Sequence, residues 1–312
     1  MTHSFKDGKS EGRRTFLKTL SLALASGLIF GVKHLFASEA PLVRPPGPPT
    51  PPAPTPFQQP DPPYAKEIPS IPFDAPPGSW TLVVLPDTQN MSATVPPEYL
   101  RQIEWIVAHR EKHQILFVAH EGDIVENCVV RAEWEHAQKA MRTLTQAGIP
   151  YSLLPGNHDL GDGKAIANSR TTLLNDYFTA DDYRHSEAMG LFEQGKMENS
   201  WHEFTAPTGK YLLLALEYGP RNAVVDWANK IVAQKPDRKV IVVTHAHLYH
   251  DNTRYDWKKK GGSQEFNPYT NGIAQAGGVN DGEDLWNKLL KKKIETSFWS
   301  FAAMIFTTAR AI

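Results

Sequence analysis

The sequence predicts an α/β fold for the part of the chain that begins at Trp80. Short runs rich in Val, Ile and Leu alternate there with amphipathic stretches in which apolar residues recur at helical spacing. Polar side chains follow directly after most of these runs, as expected where buried strands end at the edge of a sheet. The predicted strands are Thr81–Leu85, Ile115–Val118, Tyr151–Leu154, Tyr211–Leu216 and Val240–Val243, and the predicted helices span 97–112, 131–147, 164–178, 221–234 and 282–292.

Proline divides the 312 residues into regions of different chemistry. Of the 25 prolines, 16 lie between Pro41 and Pro77, and such a run cannot build a core because proline lacks a backbone donor and favours polyproline II. We therefore predict a Pro-rich linker over residues 41–79 that acts as a semi-rigid spacer. A recognition motif for a groove-type partner is the alternative.

Residues 1–40 have the features of a removable export signal. Arg13 and Arg14 are followed by x-Phe-Leu-Lys, a pattern that resembles a twin-arginine signal. The apolar run from Thr19 to Val32 is shorter than the roughly 20 residues of a spanning helix, so we expect no stable membrane span in the mature form. An uncleaved anchor is the alternative. The resemblance implies the twin-arginine export machinery as a partner and a periplasmic or extracellular, cell-envelope location.

Charge and cysteine content exclude several function classes. The chain has 33 Lys and Arg against 34 Asp and Glu, a formal net charge of −1 that gives no sign of a nucleic-acid-binding surface. The single cysteine, Cys128, excludes an internal disulfide and any Cys-based zinc cluster. Any metal site must therefore use His, Asn and carboxylate side chains.

Residues with metal-ligand chemistry follow four of the predicted strands. Carboxylate oxygens and imidazole nitrogens suit a pair of divalent ions, and carboxylates bridge two ions most readily. Taken singly, such signals are weak, because an Asp after a strand is more often a helix cap. The ordered groups are Asp87-Thr88-Gln89, Gly122-Asp123, Gly156-Asn157-His158-Asp159 and His245-Ala246-His247.

The order and spacing of these groups resemble the calcineurin-like metallophosphoesterase family over about residues 80–300. The resemblance implies a double β-sheet sandwich flanked by helices, with two divalent metal ions such as Mn, Fe or Zn at the strand ends. It implies that Asp123 bridges the two ions. The full set of implied metal ligands is Asp87, Gln89, Asp123, Asn157 and His245.

The resemblance also implies hydrolysis of phosphate mono- or diesters. A metal-activated hydroxide would attack phosphorus in line, and His158 would protonate the departing alkoxide. Asp159 would orient the His158 ring. We expect the loss of His158 to cripple turnover while sparing the metal content.

The sequence departs from the family pattern in its first motif, which is usually Asp-x-His and here is the Asp-Thr-Gln variant. The neutral amide of Gln89 is a weaker ligand than imidazole, so the first ion is expected to be held more loosely. His247 is expected to line the pocket or the surface. Arg254 is a candidate clamp for a phosphate oxygen, and a solvated loop charge is its alternative.

A second departure lies at the end of the sequence. The family closes its site with Gly-His-x-His or Gly-His-x-Leu, whereas no histidine follows His250 here. Codons for Ala302–Ile305, read two bases on, can encode Gly-His-Asp. We therefore predict a domain over 80–293 that is incomplete, with its C-terminal strands missing, and a frameshifted tail over 294–312. An unshifted frame in the genome would contradict this.

These observations together predict an exported metallophosphoesterase that acts on a phosphate ester. One alternative is a catalytically impaired, truncated remnant, and another is a non-catalytic metal-binding surface protein. No Gly-x-Ser-x-Gly elbow and no Gly-x-Gly-x-x-Gly loop follows any predicted strand, which disfavours a serine hydrolase and a Rossmann-type nucleotide site. The sequence leaves the substrate open.

Overall fold

The computed structural model describes residues 76–165, 167–275 and 278–291, together with the backbone of Phe298–Ser300. These residues all belong to one compact unit, Ser70–Ile312. The predicted signal, most of the predicted linker and residues 294–297 and 301–312 of the predicted tail lie outside the described residues. Among the described helices, none is both long and apolar enough to cross a bilayer.

The described residues alternate strands with helices. The strands are β1 Thr81–Leu85, β2 Ile115–His120, β3 Tyr151–Ser152, β4 Ala188–Leu191, β5 Ser200–Ala206, β6 Gly209–Leu216, β7 Lys239–Thr244 and β8 Phe298–Ser300. The α-helices are α1 Gln89–Thr94, α2 Pro96–Ala108, α3 Arg131–Gln146, α4 Leu174–Tyr177, α5 Asn222–Gln234, α6 Trp257–Lys260 and α7 Gly282–Leu285, and α7 continues as a π-helical turn, Trp286–Leu290.

The strands form two sheets. The first has the order β1-β2-β3 and is parallel throughout. The second has the order β4-β5-β6-β7-β8, with antiparallel pairs from β4 to β6 and parallel pairs from β6 to β8. The parallel pairing of β1 with β2 and of β6 with β7 brings their carboxyl ends to one edge of each sheet, which is where polar side chains can gather.

The two sheets pack face to face around an apolar core. Side chains of β6 and β7 alternate between two environments: Leu213 and Ile241 meet Phe117 of the first sheet, whereas Leu212 and Val240 face helix α5. This alternation follows from the period of two along a strand. Because both faces are buried, these strands are apolar without interruption, as their sequence predicts.

Helices cover the outer faces of both sheets. Helices α2 and α3 pack against the first sheet, where Ile103 and Trp134 are fully buried. Helix α5 covers the second sheet together with Leu289 of the π-helical turn. The fold is therefore a double β-sheet sandwich flanked by helices, and the predicted fold class is confirmed.

Some predicted elements differ from the structure. The helix predicted over 164–178 is wrong except for α4, because Ala167 adopts a φ of +42° and its carbonyl oxygen accepts a hydrogen bond from Ile273. The sequence pattern does not predict strands β4 and β5. It predicts that the strands after β7 are missing, yet β8 pairs with β7 in parallel inside the predicted tail. The frameshift itself stays a prediction.

Candidate metal centre

The candidate site lies where β1, β2 and β7 end. Asp87 follows β1 after one residue, Asp123 follows β2 after two, and His245 is the first residue after β7. Asp87 and Asp123 have φ values of +42° and +50°, a region that residues other than Gly rarely adopt. Such strained positions persist where the surrounding structure fixes them, and they cluster at functional sites.

Two glycines let the loops after β2 and β3 touch. A Cβ atom on Gly156 would lie 2.1 Å from the Asp123 Oδ1 atom, and one on Gly122 would lie 2.6 Å from the Gly156 nitrogen. Gly122 also has a φ of +96°, which favours glycine. The Gly-Asp and Gly-Asn-His-Asp motifs therefore form one packed unit.

The carboxylate of Asp123 lies at the centre of the site and is buried. Its Oδ1 atom accepts a hydrogen bond from the His158 backbone at 2.9 Å and lies 3.4 Å from the His245 Nε2 atom. Its Oδ2 atom accepts a bond from the Gln89 Nε2 atom at 3.3 Å. The two oxygens thus face different neighbours, as a bridging ligand requires.

The contacts of the His245 ring identify which of its two nitrogens can bind a metal. Its Nδ1 atom lies 3.0 Å from the Glu121 carbonyl oxygen, which can only accept, so Nδ1 carries a proton. Its Nε2 atom lies 3.1 Å from the Asn157 Oδ1 atom and 3.4 Å from the Asp123 Oδ1 atom. An imidazole lone pair and two acceptor oxygens therefore converge, an arrangement that a proton or a metal cation stabilises.

The donor set fits a divalent cation. Ligand atoms of Asp87, Asp123 and His245 all lie within 4.8 Å of one another. The Asp87 Oδ1 and Gln89 Oε1 atoms are buried without a hydrogen-bond partner among the described residues. Buried polar atoms are normally satisfied, so these two oxygens are suited to a cation. Of the predicted ligands, the structure brings together all five: Asp87, Gln89, Asp123, Asn157 and His245.

The clustered carboxylates disturb one another's ionisation. Burial raises the pKa of Asp87, and the charge of Asp123 adds to this while His245 opposes it. Burial acts to lower the pKa of His245, but the charges of Asp123 and Asp87 outweigh it and the pKa is raised. Burial raises the pKa of Glu121 to about 7. A cation at the site would stabilise the ionised carboxylates.

Glu126 holds the ring of His158 in place. The His158 Nδ1 atom lies 3.0 Å from the Glu126 carbonyl oxygen and 3.2 Å from its Oε2 atom, so Nδ1 donates. The other ring nitrogen, Nε2, lies 3.9 Å from the Asp123 Oδ2 atom. The Lys164 ammonium pairs with the other oxygen of Glu126 at 2.5 Å. His158 therefore points its free nitrogen toward the metal ligands.

The expected contact between Asp159 and His158 is not seen among the hydrogen bonds of the described residues. Instead, the fully buried Asp159 carboxylate accepts bonds from the backbone nitrogens of Ile124, Val125 and Gly156 at 2.8–3.1 Å. The sequence could not show this, because neighbouring residues on a turn can point in opposite directions. Asp159 thus fastens the two motif loops together.

The two predicted pocket residues lie against other partners. Arg254 forms an ion pair with Glu283 at 2.7 Å and covers the ring of Trp286 at 4.6 Å. His247 is buried, and burial together with the charge of Arg254 lowers its pKa to about 4. Neither residue belongs to the group of metal-ligand atoms found among the described residues. A clamp by Arg254 would first have to break its pair with Glu283.

Sequence reasoning missed Glu121, Glu126 and Tyr218. Glu121 and Glu126 lie within three residues of Asp123, on the loop after β2. This closeness in sequence is the signal that could have pointed to them. Tyr218 follows β6, its backbone nitrogen donates to the Pro155 carbonyl oxygen at 3.0 Å, and its ring lies edge-on to His245 at 5.7 Å. No sequence pattern indicates that contact.

Comparisons with known proteins show which proteins this chain is similar to. The chain is 30% identical over 172 residues to the uncharacterized protein YvnB of Bacillus subtilis (strain 168), a match that covers 54% of this chain and 13% of that protein. The chain thus spans a small part of that relative's length. It also resembles the crystal structure of TT1561 of Thermus thermophilus, with a TM-score of 0.33 and 14% identity over 55% of this chain and 70% of that one. A family model described as calcineurin-like phosphoesterase matches residues 81–280, more than half of the sequence, and the chain therefore belongs to the calcineurin-like phosphoesterase family.

Proposed function

We propose that the chain is an exported, metal-dependent hydrolase that cleaves phosphate mono- or diesters. The observation that carries the proposal is the convergence of Asp87, Asp123 and His245 within 4.8 Å at three strand ends. Family membership supports it, since the family suggests a hydrolase acting on phosphoester bonds.

The chain's own residues would hold two divalent ions. Asp87 and Gln89, with their unpartnered oxygens, suit one position, and Asn157 and His245 suit the other. Asp123 suits the place between them, because one of its oxygens lies near Gln89 and the other near His245. The backbone carbonyl of Glu121 fixes the His245 ring so that its Nε2 lone pair faces the site, as the outer hydrogen-bond partners of metal-binding histidines do.

The chemistry follows from the polarity of the site. When bound, two divalent ions lower the pKa of water and neutralise charge on a phosphoryl group. His158 is the residue placed to donate a proton to the leaving alkoxide, since its Nδ1 is held by Glu126 and its side chain is 17% exposed. General acid catalysis typically contributes about 10²–10⁴-fold to the rate.

Hydrolysis of aryl phosphates tests the proposal. The full chain, loaded with Mn²⁺, should release nitrophenol from p-nitrophenyl phosphate or its diester, and Asp123→Asn should abolish this and reduce bound metal. The variant His158→Ala should lose most turnover and keep its metal. A metal-loaded wild type with no activity on either ester would favour the non-catalytic alternative.

Export is part of the proposal and rests on the sequence. Arg13 and Arg14 precede x-Phe-Leu-Lys and a short apolar run, which suits export of a folded protein that loads its metal in the cytoplasm. Replacing both arginines by lysine should retain the full-length chain in the cytoplasm of a host with twin-arginine machinery. Unchanged export of that variant would contradict the proposal.

A further inference from the structure

Lys164 extends the polar contacts of His158 outward from the metal centre. The Lys164 ammonium lies 2.5 Å from the Oε1 atom of Glu126, and the Glu126 Oε2 atom lies 3.2 Å from the His158 Nδ1 atom. On the other side of the ring, the His158 Nε2 atom lies 3.9 Å from the Oδ2 atom of Asp123. A continuous series of charged and polar groups therefore runs from an exposed lysine to the predicted bridging ligand.

Two contacts hold the Glu126 carboxylate among the described residues. One oxygen faces the His158 ring and the other faces the Lys164 ammonium, and no further side chain in the described ranges pairs with either oxygen. The Glu126 side chain is 18% exposed. Without Lys164, one oxygen would therefore lose its partner and the carboxylate could turn toward water. A carboxylate that turns away no longer fixes the ring of His158.

The loop that carries Lys164 is fastened to the loop that carries Glu126. The carbonyl oxygen of Gly163 accepts a hydrogen bond from the Cys128 Sγ atom at 3.1 Å. Gly163 directly precedes Lys164, and Cys128 follows Glu126 by two residues. Because this contact already orders the backbone, only the Lys164 side chain loses conformational freedom when the ion pair forms.

The charge of Lys164 is matched within the protein. Its pKa is raised, chiefly by the hydrogen bond to Glu126, so the side chain is a cation at neutral pH. A direct contact between Lys164 and a substrate phosphate would have to displace Glu126 from this pair. The geometry thus favours a cation that acts on Glu126 over a cation that binds the substrate.

We propose that Lys164 is a positioning residue for His158: its ammonium holds the Glu126 carboxylate, and Glu126 holds the ring. This role rests on the proposed phosphoesterase function, in which His158 donates a proton to the leaving alkoxide. It makes turnover depend on an exposed cation that touches neither metal ligand nor reacting atom. Exposed ion pairs are weak, so the loss of Lys164 should lower kcat by roughly two- to threefold.

Three lysine variants provide the test. Lys164→Met removes the charge and keeps most of the side-chain length, whereas Lys164→Arg keeps the charge. Lys210→Met is the matched control, because Lys210 is also exposed and pairs with an exposed carboxylate, Asp237, at 2.9 Å. With p-nitrophenyl phosphate, Lys164→Met should lower kcat at unchanged KM and metal content. Lys164→Arg and the control should keep the wild-type kcat, and a wild-type kcat in Lys164→Met would overturn the inference.

A second substitution shows whether Lys164 acts through Glu126. In a Glu126→Gln background, Lys164→Met should cause no further fall in kcat, because the carboxylate that the ammonium holds is already gone. An equal fall in both backgrounds would overturn the inference, since Lys164 would then act independently of Glu126. A rise in KM in place of the fall in kcat would also overturn it and would indicate a contact with the substrate.

The mobility of the His158 ring separates the inference from the proposed function. In ¹³C-labelled protein with Zn²⁺, nuclear magnetic resonance relaxation gives the order parameter of this ring, whose signal is identified by its absence in His158→Ala. The order parameter should fall toward about 0.6 in Lys164→Met and stay at the wild-type value in Lys164→Arg and Lys210→Met. If no ester is hydrolysed, the proposed function fails and this measurement alone decides the role of Lys164. Equal order parameters in Lys164→Met and the wild type would overturn the inference.

Discussion

The roles of two neighbouring carboxylates can be separated by a crossed pair of variants. In the structure, Glu126 orients His158, whereas Asp159 joins the two motif loops. Asp159→Asn should therefore affect stability first, and Glu126→Gln should affect turnover first. Each substitution removes a charge and keeps the shape, so the pair is matched.

The size of the Asp159→Asn effect follows from its backbone partners. Asp159 accepts from the nitrogens of Ile124, Val125 and Gly156, and an asparagine amide would turn its own donors toward at least one of them. An unsatisfied buried donor costs about 1–3 kcal/mol. Burial raises the pKa of Asp159 to about 7, with the charge of Asp123 adding to it. Removing the buried charge is therefore favourable and offsets part of the cost of the unsatisfied donor. We expect a net loss of about 2 kcal/mol, or roughly 4–8 °C in Tm.

Glu126→Gln should leave Tm unchanged and lower kcat about fivefold. The glutamine oxygen and the Glu126 backbone carbonyl can both still accept from His158 Nδ1, so the ring keeps its position. A neutral acceptor is worth about 1 kcal/mol less than a charged one, which corresponds to about a fivefold change in rate. KM should not change, because Glu126 acts through His158.

Calorimetric unfolding and hydrolysis of p-nitrophenyl phosphate, measured on the same preparations, provide the assay. Glu111→Gln on the exposed surface is the control for removing a negative charge. If Asp159→Asn melts like the wild type but loses turnover, Asp159 orients His158 and does not mainly join the two loops.

Further variants and treatments test other parts of the site. Gly156→Ala should lower the unfolding free energy by about 2 kcal/mol or more and reduce bound metal, because its Cβ would collide with Asp123; wild-type unfolding and metal content would contradict this. Gln89→His should slow the loss of bound Zn²⁺ during dialysis, since imidazole is the better ligand, and equal rates would show that Gln89 does not bind metal. Chelation should lower Tm and Mn²⁺ should restore it, because a bound ion at a hundredfold excess over Kd adds roughly 2.7 kcal/mol to the free energy of unfolding. An unchanged Tm would argue against a metal site. Native Cys128 should resist iodoacetamide, because it is buried with a raised pKa, and rapid alkylation would contradict its burial.

The sequence predicts strands β1 and β6 well because both are nearly uninterrupted apolar runs. Strand β1 has the predicted bounds, and the predicted Tyr211–Leu216 lies within β6. Each of these strands is covered on both faces, so nearly every side chain must be apolar and the run stands out from its surroundings. The motif residues then follow at the strand ends, which is why their convergence could be expected.

The remaining errors come from contacts between distant parts of the chain. The segment 164–178 has helical spacing, yet most of it is a loop held by the bond between Ala167 and Ile273. Strand β4 is short and only partly buried, so its pattern is weak. Side-chain direction within a turn is also invisible in sequence, which explains why the sequence points to Asp159 rather than Glu126 as the partner of His158.

The geometry of the site links metal binding to the fold itself. Asp87 and Asp123 both adopt positive φ values, each costing about 1–2 kcal/mol. Their two carboxylates, which carry like charges, also lie close together and are largely shielded from solvent. A protein that keeps this arrangement without a cation must offset both strain and repulsion by packing elsewhere. A cation removes the repulsion and so stabilises the strained loops, which means that part of its binding energy becomes folding energy. Substitutions far from the ligands that loosen the Gly122–Gly156 contact should therefore weaken metal binding before they unfold the domain.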